Sequence, residues 1–124
     1  MKITRVDAGG GIAVVRGGEA GGEAVISDVQ SALDMIATVS YETGCNRIML
    51  EKALLDERFF DLKTRLAGEI LQKFVNYHVK AAIVGDFSGY TSKSLRDFIY
   101  ECNHGTDVFF LPTEQEAIAK LSTL

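Results

Sequence analysis

The chain is 124 residues long, 47% hydrophobic, and carries a formal net charge of −4. That is one domain's worth of chain, with enough apolar residues to build a core without disulfide or metal staples. Its Lys and Arg residues are scattered singly, which gives no basic surface for nucleic acid or an anionic membrane.

Residues 2–7 alternate apolar and polar and predict a half-exposed strand. Ala8, Gly9, Gly10 and Gly11 turn the chain into a second strand ending at Arg16, so the two form an antiparallel hairpin. Residues 17–23 form a Gly/Glu loop with little to bury. Ser27 followed by Gln30 reads as a capping box with Ser27 as the N-cap. The first helix then carries Val29, Ala32, Leu33, Ile36 and Val39 inward and ends with Gly44 as its C-cap. A third strand begins at Arg47 and ends at Glu51. Asp56 is placed to cap a second helix reaching Tyr77, with Phe59, Leu62, Leu66, Ile70 and Phe74 on one face.

Residues 79–85 lack alternation, as expected of a strand buried on both faces. The third helix spans about 91–103, with Leu95, Phe98, Ile99 and Cys102 inward and His104-Gly105 at its end. Val108–Leu111 is an apolar fifth strand. Thr113 and Glu116 form a second capping box, opening a last helix that carries Ala117, Ile118 and Leu121. The order ββαβαβαβα predicts a single α/β domain over 1–124. Its mixed sheet has about five strands, with an N-terminal hairpin followed by parallel βα units.

Cys45 and Cys102 lack CxxC spacing, and His78 and His104 complete no ligand set, so no metal and no cofactor is expected. Two free thiols, no membrane-length apolar run and an N-terminus without a signal-peptide core predict a cytoplasmic protein.

Candidate chemistry gathers where strands three to five should end, because ligands of open α/β sheets sit beyond the carboxyl ends of strands. These exits supply Glu51 and Lys52, then Asp86, Phe87 and Ser88, then Pro112 and Thr113. Thr91, Ser92 and Ser94 add hydroxyls at a helix start, where free N–H groups can hold an anion, and Lys93 and Arg96 add charge. The same hydroxyls are also ordinary caps and turn formers. GxxxxGK[ST] and GxGxxG are both absent. Lys63 falls inside the apolar arc of the second helix, near Ala67, Ile70 and Phe74, which would bring a buried ammonium to the same edge. Asp86 is either an acid/base group or a turn aspartate bonding its own backbone.

Two segments, residues 59–74 (FFDLKTRLAGEILQKF) and 83–99 (IVGDFSGYTSKSLRDFI), closely resemble the bacterial family catalogued as domain of unknown function 4180. The resemblance runs from about Val29 to Leu121 and implies no assigned activity. It makes Lys63, Asp86, Ser88, Tyr90, Thr91, Ser92 and Arg96 a coherent set. The element order also looks like the STAS fold of anti-sigma-factor antagonists, which carry a phosphorylatable Ser in the turn after the third strand. Here that turn is Leu55 to Asp61 and holds no Ser or Thr, so the resemblance extends to the fold and not to that switch.

The expectation is a non-catalytic regulatory or interaction domain. It would bind a protein partner or a small anionic ligand at the edge built by Glu51, Lys63 and residues 86–94. The alternatives are a small enzyme using Lys63 or Asp86 as acid/base, and a homodimer paired through the Val108–Leu111 strand.

Overall fold

The hairpin forms as its alternation requires. β1 (Lys2–Val6) pairs antiparallel with β2 (Ile12–Arg16). Gly9, Gly10 and Gly11 between them all have positive φ, a region that L side chains rarely adopt. The structure is a computed structural model and describes residues 1–7, 9–17 and 25–124. Ala8 and most of the loop expected at 17–23 lie outside the described residues.

β3 (Arg47–Glu51), β4 (Lys80–Val84) and β5 (Val108–Leu111) extend the sheet in sequential order, each parallel to the one before it from β2 onward. Right-handed crossovers between consecutive neighbours all fall on the same side of a sheet. Accordingly α1 (Val29–Thr43), α2 (Leu66–Asn76) and α3 (Lys93–Asn103) share one core with Ala13, Val15, Ile48, Leu50, Ala81, Ile83 and Phe110. The alternate strand residues Ile12, Val14, Met49, Ala82 and Phe109 face the other way, against Ala117 and Leu121 of α4 (Glu114–Ser122). Both faces are therefore covered. That is why β4 reads without alternation: Ala81, Ala82 and Ile83 are all fully buried.

Arg47 is the buried charged residue of this second face. Its guanidinium donates to Leu121 O at 3.0 Å, in the last turn of α4, and to Gly9 O in the hairpin. A cation at a helix C-terminus is favourably placed, and here it also ties α4 to the β1–β2 turn.

Several local expectations need correction. α1 is capped by Asp28, not Ser27: Asp28 Oδ1 accepts from Ser31 N at 2.7 Å, and Ser31 Oγ accepts from Asp28 N at 3.0 Å. The buried face of α1 also takes in Met35, whereas Leu33 is only half-buried.

The larger correction is the second helix, which does not start at Asp56. The chain leaves β3 through three 3-10 turns, Lys52–Leu54, Glu57–Phe60 and Leu62–Thr64, and α2 begins only at Leu66. Asp56 and Asp61 cap two of these turns by accepting from Arg58 N and Lys63 N. Thr64 Oγ1 donates to Arg58 O and Asp61 O, and Arg65 sits in the left-handed region at φ 62°. Short polar side chains that bond the local backbone compete with helix, and here they win. The turns also bury the adjacent Phe59 and Phe60 together, at 0% and 5% exposure.

At the far edge, Ala81 N–H donates to Asp107 O and Gly85 N–H to Leu111 O, so the odd-numbered residues here serve β4, and the backbone N–H and C=O of Phe110 point to the open edge while its side chain stays in the core. The Asn103 amide takes that position. Its Nδ2 donates to Phe110 O at 3.0 Å, and its Oδ1 accepts from Phe110 N at 2.6 Å.

Candidate functional site

The parallel register brings Glu51, Val84 and Leu111 to one edge of the sheet, as the strand order requires. Between the exits of β3 and β4 lies an open cleft of about 720 Å³, lined by Glu51, Lys52, Leu55, Asp56, Glu57 and Gly85 among others. The 3-10 turns that replace the start of the expected helix form one wall. The segment 86–90 continues the chain from Gly85, beyond the residues that line the cleft.

Lys52 joins the two walls. Its Nζ donates to Asp86 O at 2.9 Å. The ammonium also lies 4.6 Å from the ring centroid of Tyr90, 5.5 Å from that of Phe60 and 5.6 Å from that of Phe87, within cation–π range of all three. Tyr90 stacks on Phe60 at 5.1 Å between centroids, and Phe87 packs edge-on to Phe110 of the core at 5.4 Å. The rings are thus fixed from below. Tyr90 Oη donates to Glu57 Oε1 at 2.8 Å. Partial burial, reinforced by this carboxylate, pushes the Tyr90 phenol well above its ordinary range, so it stays a neutral donor.

The carboxylates of the cleft have distinct tasks. Glu51 Oε1 accepts from Gly17 N at 2.8 Å, so it is directed to the end of β2 rather than toward Asp86. Asp56 is held below the usual carboxylate range by hydrogen bonds from the Arg58 side chain and then its backbone N–H. Asp86 Oδ1 accepts from Ser88 Oγ at 2.6 Å and Ser88 N at 2.9 Å, and these bonds lower its pKa in that order of weight, with Lys52 adding a smaller effect. Asp86 is therefore the turn aspartate bonding its own backbone, a poor proton acceptor that fixes the loop.

The expected site residues divide into three groups. Asp86, Ser88 and Tyr90 lie beside Lys52 as one unit. Thr91, Ser92, Lys93 and Arg96 belong to the start of α3. Ser92 is the N-cap, accepting from Leu95 N at 3.2 Å; Lys93 pairs with Asp97 at 2.8 Å; and Thr91 and Arg96 are exposed. Lys63 belongs to neither group. It lies on the exposed Leu62–Thr64 turn instead of within an apolar helical arc, because α2 starts three residues later. The residue the sequence reading named but did not single out is Lys52. The sequence places it at a strand exit, and its meeting with Phe60, Phe87 and Tyr90 is visible only in the fold.

Elsewhere, Cys45 is buried and Cys102 half-buried, and burial pushes the Cys102 thiol up to about 11, away from nucleophilic use. Among the described residues, no three His, Cys, Asp or Glu side chains group as metal ligands, and no helix is long and apolar enough to cross a membrane.

The chain belongs to the family described as Domain of unknown function (DUF4180), whose model matches residues 13–121, from β2 through α4. No curated protein and no solved structure matches it.

Proposed function

We propose that this chain is a non-catalytic, STAS-like regulatory or interaction domain that binds a protein partner at the carboxyl edge of its sheet. The observation that carries the reading is the cleft between Glu51 and Gly85. It is open and bordered by three carboxylates, and it contains a network of caps and turns instead of a proton-transfer pair. The sequential parallel order of β2 to β5, with three helices on one face, supports the STAS-like description.

The border of Glu51, Asp56 and Glu57 favours a basic surface on the partner over a small anion, because like charges repel an anionic ligand at close range. The acid/base reading loses both of its groups: Lys63 is exposed, and Asp86 is held ionised by Ser88. Pairing of two copies through β5 is opposed at Phe110, where Asn103 already occupies the edge.

The test is a native mass spectrum of the protein gently purified from its source cells, as wild type and as the Glu51→Gln/Glu57→Gln variant. Wild type should retain a second polypeptide. Losing two charge pairs of about 1 kcal/mol each should lower its occupancy about tenfold or more. A bare wild-type mass, or equal occupancy in the variant, overturns the reading.

A further inference from the structure

Surface lysines ordinarily extend into water. Lys52 instead folds back over three ring faces, and among the described residues its ammonium forms a hydrogen bond to a backbone carbonyl rather than a salt bridge. The fold makes room for this. Gly85 lacks the Cβ that would sit 2.5 Å from Lys52 Cβ and 2.9 Å from its Cδ, so the stem lies directly against the backbone of β4's exit.

The rings are held in advance of any ligand. Phe60 is 5% exposed, Phe87 is braced on Phe110, and Glu57 fixes the Tyr90 hydroxyl. The adjoining cleft is open, and its carboxylates attract cations. Negative ring faces, a fixed geometry and an acidic approach are the features by which proteins bind alkylammonium groups.

We infer that the Phe60–Phe87–Tyr90 patch is a recognition site for an alkylammonium group, occupied in the free protein by the chain's own Lys52. This rests on the proposed reading of the same edge as the interaction surface and names the chemistry it reads. An incoming cation takes over the ring contacts, a primary ammonium also takes over the hydrogen bond to the Asp86 carbonyl, and the Lys52 head moves to water. For a lysine the exchange replaces like with like, and for a quaternary amine it replaces the ring contacts alone; in both cases the resident lysine acts as an intramolecular competitor that sets a threshold for the ligand. The group would come from a lysine of the partner or from a small quaternary amine.

The probes are tetramethylammonium chloride and Nα-acetyl-lysinamide. They are titrated into purified wild type, Lys52→Ala and Lys52→Gln at constant ionic strength, with the Tyr90 and Phe87 ring resonances followed by NMR. If Lys52 occupies its own site 90–99% of the time, removing it tightens binding by about 10- to 100-fold. Adding Tyr90→Leu to either Lys52 variant should abolish the saturable shifts.

Stronger binding of tetramethylammonium identifies a methylated amine as the class of ligand, and comparable binding of the lysinamide identifies an unmodified lysine. If neither probe saturates either folded Lys52 variant, or if Tyr90→Leu leaves binding intact, the inference is wrong. Partner retention in the native mass spectrum would then still stand by itself, so failure of the cation site and failure of the interaction reading are distinguishable.

Discussion

Replacing Gly85 by alanine tests whether the walls of the cleft are packed as closely as the geometry states. The N–H of Gly85 donates to Leu111 O at 3.1 Å, which ties this backbone to β5. The new methyl would meet Lys52 Cβ at 2.5 Å, where carbon atoms normally rest about 3.5–4.0 Å apart. The two segments must therefore separate by about 1 Å, or the Lys52–Leu54 turn must rotate. Turning the lysine side chain gives no release, because Cβ is fixed to its own backbone.

Overpacking of this kind costs about 1–3 kcal/mol. Urea unfolding of a mutant cycle checks the cause. Lys52→Ala removes the Cδ contact but keeps Cβ, so it should relieve little of the Gly85→Ala penalty. Lys52→Gly removes every contact and should relieve most of it, with a coupling of about 1–2 kcal/mol beyond its own cost of about 0.5–1 kcal/mol. A neutral Gly85→Ala, or additivity with Lys52→Gly, would refute the reasoning.

Two further outcomes follow from other parts of the fold. Arg47→Ala leaves a cavity, removes the guanidinium donor from Gly9 O and leaves Leu121 O with the 3.3 Å bond from Leu124 N, and should cost about 2–5 kcal/mol in the same unfolding assay; Arg47→Met keeps the volume and should cost about half as much. The Asp86 carboxyl should titrate below the ordinary aspartate range of about 3.9 by carbon-detected NMR and return toward it in Ser88→Ala. Its folded pKa is depressed, so its contribution to stability is present above the unfolded value and is lost as pH falls through the folded one. An unchanged Asp86 titration in Ser88→Ala would remove Ser88 as the cause.

Strands and caps were legible wherever a local pattern met no competitor. Val108–Leu111 lies where its apolar run placed it, Gly44 caps α1 in the left-handed region, and Thr113 caps α4 by accepting from Glu116 N, although the Glu116 carboxylate accepts from the Thr113 hydroxyl and not from its backbone N–H, so the expected capping box is only half formed. The second helix was not legible. Its apolar spacing from Phe59 onward suited a helix, but Asp56, Asp61 and Thr64 bond the backbone locally and keep it in 3-10 turns. Lys63 was misplaced for the same reason: the helix starts at Leu66 and not just after Asp56, which leaves Lys63 on an exposed 3-10 turn. Asp86 and Ser88 were correctly grouped, because an Asx turn is a local event.

The sequence by itself determined the element order and the placing of Glu51, Asp86 and Ser88 at strand exits that share one sheet edge. Hydrophobic period, turn residues and caps all act over a few positions and need no knowledge of the rest of the chain. Only the tertiary structure decided that Lys52 faces Phe60, Phe87 and Tyr90. That meeting spans up to 38 residues of sequence, from Lys52 to Tyr90. It depends on β3 and β4 being neighbours and on a glycine that lets a lysine stem pass, a coincidence of distances that no local pattern encodes.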